Sequence, residues 1–107
     1  MFLCNWSNDF TSAGNQYKIS DGNKNYFIDM LLFNTNYNCY VVVEIKCRKL
    51  KKEDKAQVEF YMSLIDKYKK KANNNPTIGI IITKEQDKFV ANFVRNEKII
   101  PLTYEFV

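Results

Sequence analysis

The sequence predicts a mixed α/β fold with the element order β-β-β-α-β-β-β, one sheet and one crossover helix. Three observations carry this reading. Residues 26–34 and 39–47 (YFIDMLLFN and CYVVVEIKC) are strand-like apolar runs joined by a four-residue bend, Thr35 to Asn38. From about Lys52 to Lys71 apolar residues recur at helical spacing, at Ala56, Phe60, Leu64, Ile65 and Tyr68, with lysines on the opposite face. Thr77 to Thr83 is then a near-continuous apolar run, as expected of a strand covered on both faces.

The remaining elements fall around these. Residues 1–15 are weakly patterned, because Asn5, Ser7, Asn8 and Gly14 interrupt any period, and a short strand is expected at Gln16 to Ser20. Asp21, Gly22 and Asn23 mark a turn. Asn73, Asn74, Asn75 and Pro76 stop the helix. Phe89 to Arg95 and Ile99 to Phe106 read as strands nearer the edge, the second beside Pro101, which cannot donate to a ladder.

Composition bounds the function. A chain of 107 residues, 46% apolar and 15% aromatic, is expected to fold as one domain over 1–107 rather than remain disordered. No run approaches the roughly 20 apolar residues of a membrane span, and MFLCNW lacks the pattern of a secretory leader, so the expected location is cytoplasmic. Cys4, Cys39 and Cys47 match no disulfide framework or zinc spacing. The chain has no histidine, which removes the commonest general base and every Ser/His or Cys/His nucleophile pair. Hydrolytic chemistry would have to rest on carboxylates, lysine and water. The net charge of +4 mildly favours a polyanionic partner.

Charges within the hairpin are the most specific feature. With the bend at 35–38, Asn34 faces Cys39, Met30 faces Val43 and Asp29 faces Glu44. Directly opposed residues share a sheet face with Cβ atoms about 5 Å apart. Two carboxylates would touch, and Lys46 lies on the same face with Leu31, Phe33, Tyr40 and Val42. Opposed like charges among apolar neighbours call for compensation. A hard divalent cation such as Mg²⁺, which takes one or two carboxylates plus waters and phosphate oxygens, supplies it. Lys46 beside it could orient the attacking water or stabilise charge on a phosphate. A solvated, ion-paired surface patch is the competing reading at this level.

An acidic residue ending one strand, followed by Glu-x-Lys on the next, resembles the PD-(D/E)xK nuclease superfamily. FTSAGNQYKI, NYFIDMLLFN, CYVVVEIK, AQVEFYMSLID and NNNPTIGIIIT look like consecutive blocks of its YhcG-type nuclease domain, over roughly residues 10–107. The resemblance implies a restriction-endonuclease-like fold and a Mg²⁺-dependent endonuclease, with Mn²⁺ able to substitute, that hydrolyses DNA. It implies Asp29 and Glu44 as metal ligands, the Ile45 carbonyl as a further ligand and Lys46 as the catalytic lysine. Gln57 and Tyr61, spaced i, i+4, look like the helix glutamine and tyrosine of RecB-like members, with Gln57 positioning metal water or Lys46. Without the resemblance, Gln57 reads as a solvated amide and Tyr61 as core. Gln16, in Gly14-x-Gln16, also matches the family. Ile28 stands where the superfamily name has proline.

Arg48, Lys49, Lys51 and Lys52 follow Lys46 and are expected to contact phosphates, whereas the Lys67 to Lys71 run suits a helix C-terminus. The resemblance implies a long helical N-terminal region, which related proteins usually carry and this sequence is not expected to contain, with Asp9 the acid that stands ahead of the first strand. The implied partners are therefore DNA, a second copy forming a homodimer, and a separate helical DNA-binding subunit. The rival reading is an inactive, nuclease-derived binding or assembly subunit; an RNA-directed nuclease is a third.

Overall fold

The structure, a computed structural model, describes residues 10–94 together with 105 and 106. The first hairpin is formed by β1 (Phe10–Asp21) and β2 (Lys24–Asn34), antiparallel from Phe10↔Asn34 to Asp21↔Lys24. Gly22, at φ +63°, takes the first turn position, where a left-handed residue matches the twist of the flanking strands. β1 is longer than expected: residues 10–15, though weakly patterned, are held by pairing with β2. Ala13 is skipped in that register, between Ser12↔Leu32 and Gly14↔Leu31.

Strand β3 (Cys39–Lys46) pairs antiparallel with β2, with Asn34 opposite Cys39 and Met30 opposite Val43, as the bend at 35–38 requires. Asparagines build the bend. Asn34 accepts the Tyr37 N–H at 2.8 Å, and Asn38 takes a left-handed φ of +52°. Asn75 then donates from its main chain to the Asn38 carbonyl at 2.8 Å and from its side chain to the Tyr37 carbonyl at 2.7 Å, tying the hairpin to the loop beyond the helix.

The helix α1 (Lys52–Tyr68) crosses over the sheet to β4 (Ile78–Glu85), which runs parallel to β3. β5 (Lys88–Phe93) follows antiparallel, and Glu105–Phe106 add the two-residue β6 at its edge. The strand order is β1-β2-β3-β4-β5-β6. Of the last strand expected at 99–106, only these two residues are among those described; Asp9, Cys4, Arg95 and Pro101 lie outside them.

The buried face of α1 differs from the sequence expectation. Val58, Tyr61, Met62, Leu64 and Ile65 are buried, whereas Ala56, Phe60 and Tyr68 are exposed. The cause is on the sheet. A Cβ on Gly79 would lie 2.5 Å from Val58 Cγ1 and 2.7 Å from the Met62 sulfur, so α1 seats these two side chains on the bare backbone of β4. The helix also stops at Tyr68, where the N–H groups of Lys69 and Lys70 both turn back to the Ile65 carbonyl. β4 meets the expectation of a strand covered on both faces, being buried from Ile78 to Thr83. Ile81 packs in the helix-side cluster with Leu31 and Val42, and Ile78, Ile80 and Ile82 pack on the other side with Val41 and Val43.

Candidate active site

The β2–β3 ladder stops at the point where two carboxylates would oppose each other. Beyond Met30↔Val43 no further pair is formed. The side chains complete the ladder: the Asp29 N–H donates to Glu44 Oε2 at 2.8 Å, and the Ile45 N–H donates to Asp29 Oδ2 at 3.0 Å. Each carboxylate satisfies a main-chain donor of the neighbouring strand, where unpaired buried donors are costly.

A phase slip in β2 makes this possible. Ile28 and Leu31 belong to the same helix-side cluster although they are three residues apart, an odd spacing that strict alternation would place on opposite faces. The slip falls on Asp29 and Met30. It turns the Asp29 carboxylate along the sheet towards β3, while Tyr26 and Ile28 still pack towards α1. On β1, Gln16 sits between the pairs Asn15↔Met30 and Tyr17↔Ile28 with φ +49°, and its Nε2 donates to Asp29 Oδ1 at 3.2 Å.

The two carboxylates occupy different environments. Glu44 is 4% exposed, and its pKa is raised above the ordinary value. Burial is the main cause and the Asp29 charge adds to it, opposed by the Asp29 N–H and the Lys46 ammonium. Glu44 Oε1 has no hydrogen-bond partner among the described residues. Asp29, partly exposed, is held through both oxygens.

Lys46 is brought to the helix by strand alternation. It lies two residues beyond Glu44, and its Nζ contacts Gln57 Oε1 at 3.5 Å. Gln57 Nε2 in turn contacts the Tyr61 hydroxyl at 3.4 Å. Both contacts are long for hydrogen bonds. Tyr61 is 7% exposed, and its pKa is raised, chiefly by burial and then by the charges of Glu44 and Asp29. Gln57 is exposed.

Arg48 is placed differently from the expectation. Its Nη1 and Nη2 bind Asp54 Oδ2 and Oδ1, each at 2.8 Å, in a bidentate pair. Asp54 also accepts the Lys51 N–H at 2.8 Å and so caps the first turn of α1. The Arg48 guanidinium holds the Asp54 carboxyl well below its usual range, at about 2. So engaged, the Arg48 guanidinium clasps the start of the helix. Lys49, Lys51 and Lys52 are exposed, and their ammonium groups have no carboxylate partner among the described residues. Sequence reading passed over Asp54; its signal is an acid at the third helical position, six residues after an arginine.

The donor set suits a hard cation. Two carboxylates meet here, no imidazole is available, and Cys39 is buried in the opposite-face cluster with its thiol pushed up to about 11 by burial. Among the described residues no group of three or more His, Cys, Asp or Glu converges. Water and phosphate oxygens would complete the shell of an ion held by Asp29 and Glu44. A concavity of about 300 Å³ bounded by Leu50, Lys55, Ile81, Val90 and Asn92 contains none of Asp29, Glu44 or Lys46, so chemistry rather than volume locates the candidate site. No helix among the described residues is long and apolar enough to cross a membrane.

Comparison with known proteins identifies the family of the chain. A family described as the YhcG PDDEXK nuclease domain matches residues 1–105. The curated protein "Putative nuclease YhcG" of Escherichia coli (strain K12) is 23% identical over 92 residues. That match covers 86% of this chain but 24% of the relative, so the chain spans about a quarter of that protein's length. No solved structure matches.

Proposed function

Since the chain belongs to the YhcG PDDEXK nuclease domain family, we propose that it is a Mg²⁺-dependent endonuclease that hydrolyses phosphodiester bonds of DNA. The observation that supports this most is the mutual hold of Asp29 and Glu44 at a broken ladder, with Lys46 two residues away. A surface ion-pair patch would not bury Glu44 to 4% exposure beside a second carboxylate.

In this reading Asp29, Glu44 and the Ile45 carbonyl hold Mg²⁺, or Mn²⁺ in its place. The bound ion would polarise the phosphate and lower the pKa of the attacking water. Lys46 places an ammonium at the same point, where it orients that water or stabilises the charge growing on the phosphate. Gln57 holds Lys46, and Tyr61 holds Gln57, through the contacts described above. The water oxygen bonds to phosphorus as one bridging P–O bond breaks; the proton lost by water balances the one gained by the leaving oxygen. Lys49, Lys51 and Lys52 neutralise flanking phosphates without reading sequence. One site cuts one strand, so cutting both requires a homodimer or a second binding event.

The test is incubation of purified protein with supercoiled plasmid and with single-stranded RNA, in Mg²⁺ and in EDTA. Nicking of the plasmid that EDTA abolishes is expected. Cleavage of RNA alone would transfer the reading to an RNA-directed nuclease. Folded protein that binds DNA but cuts neither substrate in Mg²⁺ or Mn²⁺ would favour the inactive assembly subunit.

A further inference from the structure

Gln16 combines two features that need a common explanation. It is a non-glycine residue inside a strand with a left-handed backbone, φ +49°, and its side chain is exposed yet engaged with Asp29 Oδ1 at 3.2 Å. A long side chain in that backbone region is strained, and such strain persists where surrounding structure enforces it and gathers at functional positions. We propose that Gln16 is a positioning residue that aims the Asp29 carboxylate at the metal position. This rests on the nuclease reading given above and deepens it.

Asp29 lies at the phase slip of β2, where no ladder pair with β3 fixes it. Its Oδ2 is held from one side by the Ile45 N–H and its Oδ1 from the other by Gln16. Two donors on different strands, β3 and β1, therefore fix the plane of the carboxylate. The slip and the left-handed residue face each other: Gln16 and Asp29 stand between Asn15↔Met30 and Tyr17↔Ile28. Tyr17 and Ile19, which follow it, pack with the helix-side cluster, and the Gln16 amide donates to Asp29 on the neighbouring strand.

The type of donor matters as well. An amide donates one hydrogen bond without adding positive charge, so it fixes Asp29 while leaving the carboxylate its full attraction for a cation. A lysine or arginine here would compete with the metal. Outer partners of this kind typically contribute ten- to a hundredfold in metal affinity or activity.

The choice of variants separates positioning from a merely structural role. Gln16→Gly and Gln16→Asn both tolerate a left-handed backbone, and neither carries an amide that reaches Asp29. Thermal melting of the whole chain would be followed with no metal and across a Mn²⁺ titration, for wild type, both variants and Lys46→Ala. The expected result is a metal-free melting temperature for Gln16→Gly equal to or above that of wild type. The Mn²⁺ concentration giving half the maximal shift should rise tenfold or more for both variants, with Lys46→Ala at or below the wild-type value because it removes a positive charge that opposes the cation. Variants that respond to Mn²⁺ like wild type would overturn the positioning role and leave the nuclease reading standing. A lower metal-free melting temperature for both would assign Gln16 a structural role instead. Absence of any Mn²⁺ response in wild type would remove the metal site itself, and the Gln16 role with it.

Discussion

Glu44 Oε2 accepts the main-chain N–H of Asp29 at 2.8 Å, a bond that stands where the next rung of the β2–β3 ladder would be. The acid thus has two functions that can be separated by substitution. As a hydrogen-bond acceptor it closes the ladder; as a buried anion with a raised pKa it costs stability in the absence of a cation. Glu44→Gln keeps an acceptor oxygen and removes the charge. We expect it to melt no lower than wild type without metal at pH 7, and to lose more than a hundredfold in DNA cleavage. Melting and cleavage of one preparation check both.

Asp29→Asn should lose activity to a similar extent but behave differently in stability. Its carboxylate accepts from two donors, Gln16 Nε2 and the Ile45 N–H, and an amide in its place would turn a donor towards one of them. The expected cost is roughly 1–2 kcal/mol, from one unsatisfied, partly exposed pair. Urea melts of Asp29→Asn and Glu44→Gln side by side would show that difference.

The clasp between Arg48 and Asp54 governs acid stability. Folding lowers the Asp54 pKa from the ordinary 3.8 to about 2, so the unfolded chain takes up the proton more readily. The stabilisation is therefore complete above about pH 4 and is lost as pH falls from there towards 2. Water reaches the Arg48 side chain, which is 40% exposed, so the contribution is on the order of 1–2 kcal/mol. Asp54→Asn should flatten the pH dependence of the melting temperature below pH 4, and Arg48→Ala should do the same while lowering stability at neutral pH.

Lys49, Lys51 and Lys52 should reveal themselves through salt. If each neutralises one phosphate, its replacement by alanine lowers the slope of log binding constant against log salt by about 0.9 and leaves stability within about 0.5 kcal/mol. Arg48→Ala should act in the opposite sense, with a small change in salt slope and a clear loss of stability. DNA binding in EDTA at several salt concentrations measures both.

Gly79 is the point at which helix and sheet meet. Gly79→Val would force Val58 and Met62 off β4 and should cost roughly 1–3 kcal/mol or more. Because Gln57 precedes Val58, the displaced helix should also carry Gln57 away from Lys46 and lower cleavage beyond the loss explained by unfolding.

Much of this arrangement was legible in the amino-acid sequence, for identifiable reasons. The bend at Thr35–Asn38 fixes the register of β2 and β3 as far as Met30↔Val43, because side-chain alternation is a local rule. Three things were not legible. The buried face of α1 depends on the absence of a Cβ at Gly79, a contact 17 residues from Met62 along the chain. The partner of Arg48 was hidden because its sequence neighbours are lysines, whereas Asp54 captures it in the first turn of α1. The left-handed backbone of Gln16 is likewise a consequence of pairing and not of residue type.

The most direct test of the central claim is single-turnover cleavage of supercoiled DNA in Mg²⁺ by wild type and Lys46→Ala at equal, verified folding and equal DNA binding. Wild type should nick the DNA, and Lys46→Ala should do so at least a hundredfold more slowly. Equal rates for the two proteins would show that any cleavage arises elsewhere, and would contradict the assignment of Asp29, Glu44 and Lys46 as the active site.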